Sequence, residues 1–167
     1  FKGLRVGLFI GGRPGKDGQG LPAMTATSVI TDRETLRKDP PDILLTNYKM
    51  LDFLLLRRED HDLWAANEPE TLRYVVLDEF HTYDGAQGTD VAMLLLRLGL
   101  ALKSHWPVGA FTAEDWARPL GRITPVATSA TLGDQGDSAA MIEFARTVFG
   151  DDLDATCVVG EGRLTLE

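Results

Sequence analysis

The side chains best suited to chemistry in this sequence are those of Asp78-Glu79-Phe80-His81, called here the acidic tetrad, which directly follow the apolar run 73–77. A carboxylate at the end of a buried strand can hold Mg²⁺ beside the phosphates of a nucleotide. A neighbouring glutamate can orient or deprotonate an attacking water. About 50 residues later, the Ser-Ala-Thr triplet (Ser129-Ala130-Thr131) ends a second apolar run. Together the tetrad and the triplet predict a nucleotide-hydrolysing site.

Two other interpretations of the carboxylates compete with this one. In the first, Asp78 and Glu79 merely end a strand and begin a solvated loop. In the second they form a glycosidase-like pair, which needs carboxyl groups about 5 Å or more apart that face one substrate. Neighbouring residues of a strand start on opposite faces of the sheet, so the second interpretation is weak.

The glycine-rich stretch at residues 11–17 does not match the pattern of a phosphate-binding loop. Such a loop has the pattern G-x-x-x-x-G-K-[ST], in which backbone amides hold the phosphates. Counted from Gly11, this stretch is one residue too short, and Lys16 is followed by Asp17, which would repel phosphate. The stretch is predicted to be a polar loop after a strand.

The elements that must position these residues alternate between short apolar runs and helical patterns. This alternation is typical of an α/β fold with a mainly parallel sheet and helices on both faces. The runs are nearly continuous in apolar residues, as expected for strands buried on both sides. The predicted strands are residues 4–10, 42–46, 73–78, 123–129 and 155–159.

Helix boundaries follow from capping residues and prolines. We predict a capping box starting at Thr31 with a helix that stops before Pro40, a helix capped by Asn47, and one capped by Thr89 or Asp90. A last helix is predicted over residues 138–149, and residues 104–121 are predicted to be a long connection with one helical turn. Core candidates are Met50 and Met93, and packing against the sheet is predicted for Trp64, Trp106 and Trp116.

Four predicted strands end in small or polar residues. The first runs into Gly11-Gly12, the second into Thr46-Asn47, the third into the acidic tetrad and the fourth into the Ser-Ala-Thr triplet. Ligands bind beyond the carboxyl ends of the strands in an open parallel sheet, because loops and helix N-termini converge there. A single parallel sheet would therefore bring all four groups to one edge.

These motifs resemble those of the DEAD/DEAH-box helicases of superfamily two. The acidic tetrad is similar to motif II of that family, and Thr128 with the Ser-Ala-Thr triplet is similar to motif III. Thr46-Asn47 resembles motif Ib, and Gly11-Gly12 resembles the glycine doublet between motifs Ia and Ib. The continuation from His81 to Gly85 is closest to the large bacterial helicases related to the Lhr group.

The resemblance implies a role for each matching residue. Asp78, with Glu79 beside it, would bind the Mg²⁺ of Mg²⁺-ATP, and Glu79 would be the catalytic base. His81 would couple the ATP site to the Ser-Ala-Thr triplet, where Ser129, Ala130 and Thr131 link hydrolysis to strand movement. Gly11, Gly12, Thr46 and Asn47 would contact the backbone of one nucleic-acid strand. Phe80 departs from the small residue usual at the third position of the box.

The resemblance also implies a RecA-like fold of the P-loop NTPase type, a three-layer α/β/α arrangement whose N-terminal part is missing. Residues 1–167 would be most of the first RecA-like domain, from after motif Ia through motif III. The phosphate-binding loop and the second RecA-like domain, a partner in the same protein, would lie outside this chain. DNA is the expected nucleic-acid partner, with RNA as the alternative.

Composition sets limits on this interpretation. The 167 residues are 44% apolar and 25% charged, which excludes a disordered or fibrous chain. The net charge of -8 excludes a grip on nucleic acid by bulk charge. The first 38 residues nevertheless carry seven basic and three acidic side chains, a balance of +4, and the rest carry ten and 22, a balance of -12. Any nucleic-acid contact is therefore predicted near the basic segment that contains Arg13 and Lys16.

The remaining features are consistent with a cytoplasmic piece of a longer protein. The one cysteine, Cys157, cannot form an internal disulfide, and no apolar run reaches the roughly 20 residues of a membrane span. Spacings typical of zinc ligands do not occur, and His61 and His105 are predicted to lie on the surface. A rival class of function is a non-catalytic binding or scaffolding module with a RecA-like fold, and an upstream phosphate-binding loop would argue against it.

Overall fold

The computed structural model describes residues 3–12, 20–129 and 138–160. The chain divides into two compact units, Phe1–Asn67 and Glu68–Glu167. The strands are β1 (Val6–Phe9), β2 (Ile43–Thr46), β3 (Tyr74–Leu77) and β4 (Thr124–Ala127). The helices are α1 (Arg33–Lys38), α2 (Tyr48–Leu56), α3 (Asp62–Ala65), α4 (Gly85–Lys103), α5 (Ala113–Ala117) and α6 (Ser138–Phe149).

The first unit contains a parallel pair of strands, β1 and β2, in which Val6 lies opposite Ile43 and Phe9 opposite Thr46. Helix α1 packs closely on β1 at Gly7, where an added Cβ would lie 2.4 Å from a Leu36 side-chain carbon. The predicted strands 4–10 and 42–46 are confirmed in place and type, although both are shorter than expected.

Two helix N-caps were predicted in the first unit, and the structure confirms one of them. The predicted capping box at Thr31 is wrong, because the cap of α1 is Asp32, whose Oδ2 accepts a 2.8 Å hydrogen bond from the Thr35 amide. This bond favours the ionised form and lowers the pKa of the Asp32 carboxyl. The predicted cap at Asn47 is confirmed, since its Oδ1 accepts from the Met50 amide at 2.9 Å.

The second unit contains the parallel pair β3 and β4, in which Tyr74 lies opposite Thr124 and Leu77 opposite Ala127. The predicted fifth strand at 155–159 is wrong. Ala155–Cys157 instead forms a 3-10 turn, because Asp154 caps it by accepting the Thr156 amide at 2.8 Å. Local hydrogen bonding from an aspartate side chain outweighs the β preference of this short apolar run.

Helix α4 begins at Gly85, with Asp84 as the residue before it, so the predicted caps at Thr89 and Asp90 are wrong. The predicted apolar stripe is confirmed, and its members Val91, Leu94, Leu95 and Leu98 are buried. Helix α6 packs against the start of α4 at Gly88, where an added Cβ would lie 2.9 Å from the Phe144 ring. The bounds predicted for α6 are confirmed.

The connection between α4 and β4 contains the one short helix that was predicted, α5. It begins with a capping box in which Thr112 and Asp115 bond each other's backbone amides. Trp106 is buried, as packing against the sheet requires, whereas Trp116 is 61% exposed and stacks on the Phe111 ring, so the predicted burial of Trp116 is wrong. Trp64 and Met50 are buried as predicted, whereas Met93 is 53% exposed because it faces away from the apolar stripe of α4.

The fold class is therefore α/β with parallel strand pairing, as predicted. The described residues form two separate two-stranded parallel sheets, where a single sheet had been expected. Within the part of the chain that the structure describes, no helix is both long enough and apolar enough to span a membrane.

Candidate functional site

The acidic tetrad lies on a tight turn at the end of β3. Asp78 and Glu79 follow the last residue of the strand, and Phe80–Thr82 forms one turn of 3-10 helix before α4 begins. Both carboxylates are exposed, whereas Phe80 is buried. The fold therefore presents two neighbouring acids to solvent from a backbone anchored on both sides.

The two acids form a bulge opposite Thr128. The Thr128 amide donates to the Leu77 carbonyl at 3.0 Å, and the Phe80 amide donates to the Thr128 carbonyl at 2.8 Å. A regular parallel ladder places one residue between two such partners. Here two residues, Asp78 and Glu79, occupy that interval. An extra residue of this kind redirects side chains and is frequent beside active sites.

Glu79 completes the bulge with a left-handed backbone, φ 50° and ψ 46°. Of the described residues, it is the only one other than glycine with a positive φ. This conformation costs about 1 kcal/mol or more, so surrounding contacts must hold it. The Glu79 carbonyl accepts from the amide and the hydroxyl of Thr82, each at 2.8 Å.

Asp78 is fixed by two donors that end on the same oxygen. The Thr128 hydroxyl donates to Asp78 Oδ1, and the Glu79 amide donates to that atom at 3.1 Å. Among the described residues, both of these bonds end on Oδ1, which leaves Oδ2 as the oxygen that can meet a cation or a water. Thr128 orients the carboxylate from the end of β4.

His81 connects the tetrad to the Ser-Ala-Thr triplet. Its Nδ1 lies 2.9 Å from Ser129 Oγ and 3.5 Å from Glu79 Oε2. The imidazole is one-third exposed, so it sits between the exposed Glu79 carboxylate and the end of β4. This contact joins the two motifs between which the resemblance implies coupling. Ala130 and Thr131, the other two residues of the triplet, lie outside the described residues.

The donor set at the tetrad fits Mg²⁺ carried by a nucleotide. Among the described residues, no group of three or more His, Cys, Asp or Glu side chains is arranged to hold a metal ion. Mg²⁺ keeps several waters and is commonly bound through one or two carboxylates together with substrate phosphates. Asp78 and Glu79 supply that number of carboxylates and no more.

The glycine doublet of the first unit lies just after β1, where Gly12 has a φ of 96°. One side chain holds this turn: Arg33 Nη2 donates to the Ile10 carbonyl at 3.1 Å and to the Gly12 carbonyl at 2.8 Å. The positive φ explains the need for glycine at position 12. Arg33 therefore belongs to this candidate nucleic-acid contact as its support.

Thr46 and Asn47 lie at the end of β2, close to the end of β1. The Thr46 hydroxyl donates to the Phe9 carbonyl at 2.6 Å, and the Asn47 side chain caps α2. Both side chains thus shape the backbone of this strand end. Asn47 is exposed and Thr46 is half-buried, so the surface that they form remains open to a ligand.

The basic segment is largely engaged within the first unit. Arg5 pairs with Asp39, Arg37 with Asp60 and Glu59, and Lys38 with Glu34; Arg33 holds the glycine turn. Of these cations, none is left without an acidic or carbonyl partner. Arg13 and Lys16, near which the nucleic-acid contact is predicted, lie outside the described residues.

The candidate residues thus form two sets. Asp78, Glu79, His81 and Ser129 come together in the second unit, and Gly11, Gly12, Thr46 and Asn47 lie at the strand ends of the first unit. His61 and His105 are exposed, as predicted.

Sequence reasoning gave no separate role to two residues that the structure places at these sets, Thr128 and Arg33. Thr128 had a usable signal, because it directly precedes the triplet at the end of an apolar run. Arg33 had none, since its contact with the glycine turn spans 21 positions of sequence.

Two known proteins are similar to parts of this chain. Over 107 residues, the chain is 31% identical to the Druantia protein DruE of Escherichia coli, a match covering 60% of this chain and 5% of that protein. Over 80 residues, it is 31% identical to an uncharacterized ATP-dependent helicase of Methanocaldococcus jannaschii, a match covering 48% of this chain and 11% of that protein. No family model and no solved structure matches.

The chain therefore has a distant, partial relationship to a protein named as an ATP-dependent helicase. It spans only 5% and 11% of the lengths of these two relatives. The relationship supports a helicase-related role for this chain.

Proposed function

We propose that this chain is most of the first RecA-like domain of a superfamily-two helicase or translocase of the DEAD/DEAH-box type, akin to the Lhr-related enzymes. The observation that carries the proposal is the pairing of His81 with Ser129 beside the exposed Asp78 and Glu79. It joins the two motifs that the resemblance assigns to hydrolysis and to coupling. The partial similarity to a helicase-named protein supports the same conclusion.

In the proposed reaction, the residues of the acidic tetrad have separate tasks. Asp78 Oδ2 would hold Mg²⁺, which neutralises charge on the ATP phosphates. Glu79 takes a proton from the water whose oxygen attacks the γ-phosphorus. The bond from that phosphorus to the β–γ bridging oxygen breaks, and ADP and phosphate leave.

Coupling to nucleic acid would pass through His81. Its Nδ1 lies within hydrogen-bond distance of Ser129 and 3.5 Å from the Glu79 carboxylate. A shift at the end of β4 therefore changes the surroundings of the base directly. In the proposal, the glycine turn and Thr46 contact the backbone of one strand, with DNA preferred over RNA from the resemblance alone.

Two exposed apolar faces support the RecA-like part of the proposal. Ile43 and Leu45 on β2 are 43% and 47% exposed, and Tyr74 and Val76 on β3 are 62% and 57% exposed. Each pair alternates along its strand and so occupies one face of its sheet. A three-layer fold would cover such faces with helices, and the second RecA-like domain and phosphate-binding loop would come from the rest of the protein.

The test of the proposal is ATP hydrolysis by the full-length protein with no nucleic acid, with single-stranded DNA and with RNA. We expect stimulation by at least one of the two nucleic acids. The absence of stimulation by both would contradict a motor and favour the non-catalytic module.

The isolated 167-residue chain is expected to bind ATP weakly at best and to hydrolyse none. The reason is that residues 11–17 do not match the pattern of a phosphate-binding loop, and the resemblance places the arginine finger in a second domain outside this sequence. Phosphate release by the purified chain is the measurement. Turnover that disappears in Glu79→Gln would overturn this expectation.

Replacing Thr46 by glutamate in the full-length protein is expected to weaken single-strand binding about tenfold while ATP binding changes less than twofold. The added carboxylate repels backbone phosphates at the end of β2. Fluorescence anisotropy with labelled DNA and with a labelled nucleotide measures both affinities. Thr46→Val, which removes only the hydrogen bond to Phe9, is the control for lost packing. Equal losses for both ligands would indicate misfolding and contradict the assignment.

A further inference from the structure

Phe80 is the anchor of the acidic tetrad. Its side chain is 1% exposed and lies against two rings of α6. The Phe80 and Phe149 rings are stacked, with centroids 5.4 Å apart and planes 12° apart, and the Phe144 ring lies 5.0 Å away. Phe144 in turn lies close to α4 at Gly88, where an added Cβ would be 2.9 Å from its ring. Phe80 is thus held where the turn after β3, the start of α4 and α6 all meet.

The same residue closes the bulge that carries the acids. The Phe80 amide donates to the Thr128 carbonyl, while the Thr128 amide donates to Leu77. These two bonds fix the chain on either side of Asp78 and Glu79. With both ends fixed and two residues in the interval of one, Glu79 is held in its left-handed conformation. A weaker anchor at position 80 would let Glu79 relax to an ordinary backbone.

We propose that Phe80 is a positioning residue: its aromatic packing on α6 holds the Asp78-Glu79 bulge closed and thereby places the Glu79 carboxylate for proton abstraction. This inference rests on the proposed ATP hydrolysis. It also makes α6 part of the support of the site, through Phe144 and Phe149.

The experiment compares Phe80→Ala and Phe80→Leu with wild type in the full-length protein. The rate is expressed per nucleotide-binding site, counted with a fluorescent ATP analogue, so that unfolded molecules do not contribute. We expect kcat to fall about a hundredfold in Phe80→Ala, since a misplacement of about 1 Å costs that much. KM for ATP should stay within about threefold. Phe80→Leu, which refills most of the volume, should recover kcat to within about fivefold of wild type.

Leu102→Ala is the matched control. Leu102 is 2% exposed, and it lies 14 residues from Gly88 along α4, about 21 Å away. The Leu102→Ala substitution creates a core cavity far from the tetrad, so kcat per binding site should change less than twofold. A Phe80→Ala protein whose kcat per site matches that of Leu102→Ala would overturn the proposal. If Phe80→Ala fails to fold, Phe149→Leu replaces it, with an expected loss of about fivefold, and an unchanged kcat again overturns the proposal.

A crystal structure of the full-length Phe80→Ala protein gives an answer that does not depend on activity. We expect Glu79 to leave the left-handed region and the bond between the residue 80 amide and Thr128 to break. An unchanged Glu79 backbone would overturn the positioning role. A wild-type protein without ATPase activity would contradict the proposed function, and this structural measurement would still decide whether Phe80 anchors the bulge.

Discussion

Replacing Glu79 by glutamine in the full-length protein is expected to lower nucleic-acid-stimulated ATP hydrolysis about a thousandfold. Glutamine keeps the shape of the side chain but cannot accept a proton from the attacking water, and such a loss falls within the usual range for a general base. ATP affinity should change less than threefold, because Asp78 and its bond from Thr128 are untouched. Steady-state phosphate release and nucleotide binding measure the two effects.

The control for Glu79 is Glu114→Gln. Glu114 is an exposed acid in the first turn of α5, and its replacement changes the net charge by the same amount. We expect wild-type hydrolysis from this variant. If Glu79→Gln keeps more than a tenth of the wild-type rate, Glu79 is not the base. The interpretation in which the acids of the tetrad only end a strand would then be favoured.

Replacing Asp115 by alanine is expected to destabilise the second unit by about 3 kcal/mol. Asp115 is 4% exposed and accepts from the amide and hydroxyl of Thr112 and from Arg122 Nε at 3.0 Å. Its loss removes the side-chain acceptor of the Thr112 amide, which is one half of the capping box of α5, and leaves the Arg122 guanidinium without its main partner. Burial lowers the pKa of the neighbouring Lys103 ammonium, and the negative charge of Asp115 opposes that shift. Without Asp115, the charged form of Lys103 also loses a favourable interaction. Denaturant unfolding of the chain measures the change.

The pH dependence of this effect has a definite sign. The Arg122 hydrogen bonds, with those from Thr112, hold the pKa of the Asp115 carboxyl well below its usual range. Because this pKa is lower in the folded state, the contribution of the Asp115 carboxylate to the free energy of unfolding is fully present above about pH 4 and is lost as pH falls further. The stability difference between wild type and Asp115→Asn should therefore shrink below about pH 4. Glu114→Ala, one position earlier on α5, should cost less than about 0.5 kcal/mol at every pH.

Much of the fold follows from local patterns. Four of the five predicted strands form, because their apolar runs are flanked by polar residues and are paired in parallel. The fifth, at 155–159, fails because the Asp154 side chain stabilises a competing 3-10 turn. The cap of α1 shifts from Thr31 to Asp32 for a similar reason, since two adjacent oxygen-bearing side chains compete and the sequence does not rank them.

The candidate site was only partly visible in the sequence. The family resemblance implied that His81 couples to the Ser-Ala-Thr triplet, and the structure places His81 Nδ1 2.9 Å from Ser129 Oγ. The role of Thr128 as the donor to Asp78 was missed, and so was the support of the glycine turn by Arg33. Both contacts join residues far apart in the chain, where no periodicity applies.

What the sequence alone determined about this protein is its set of chemical groups and its α/β pattern. Apolar periodicity and polar residues at strand ends involve only neighbouring positions, so both can be recognised without knowledge of the tertiary structure. Only the tertiary structure decided that two acids share one interval of the ladder opposite Thr128, that Glu79 takes a left-handed backbone, and that Phe80 is buried against α6. A bulge depends on which strand residues are paired, and pairing is set by packing between distant segments.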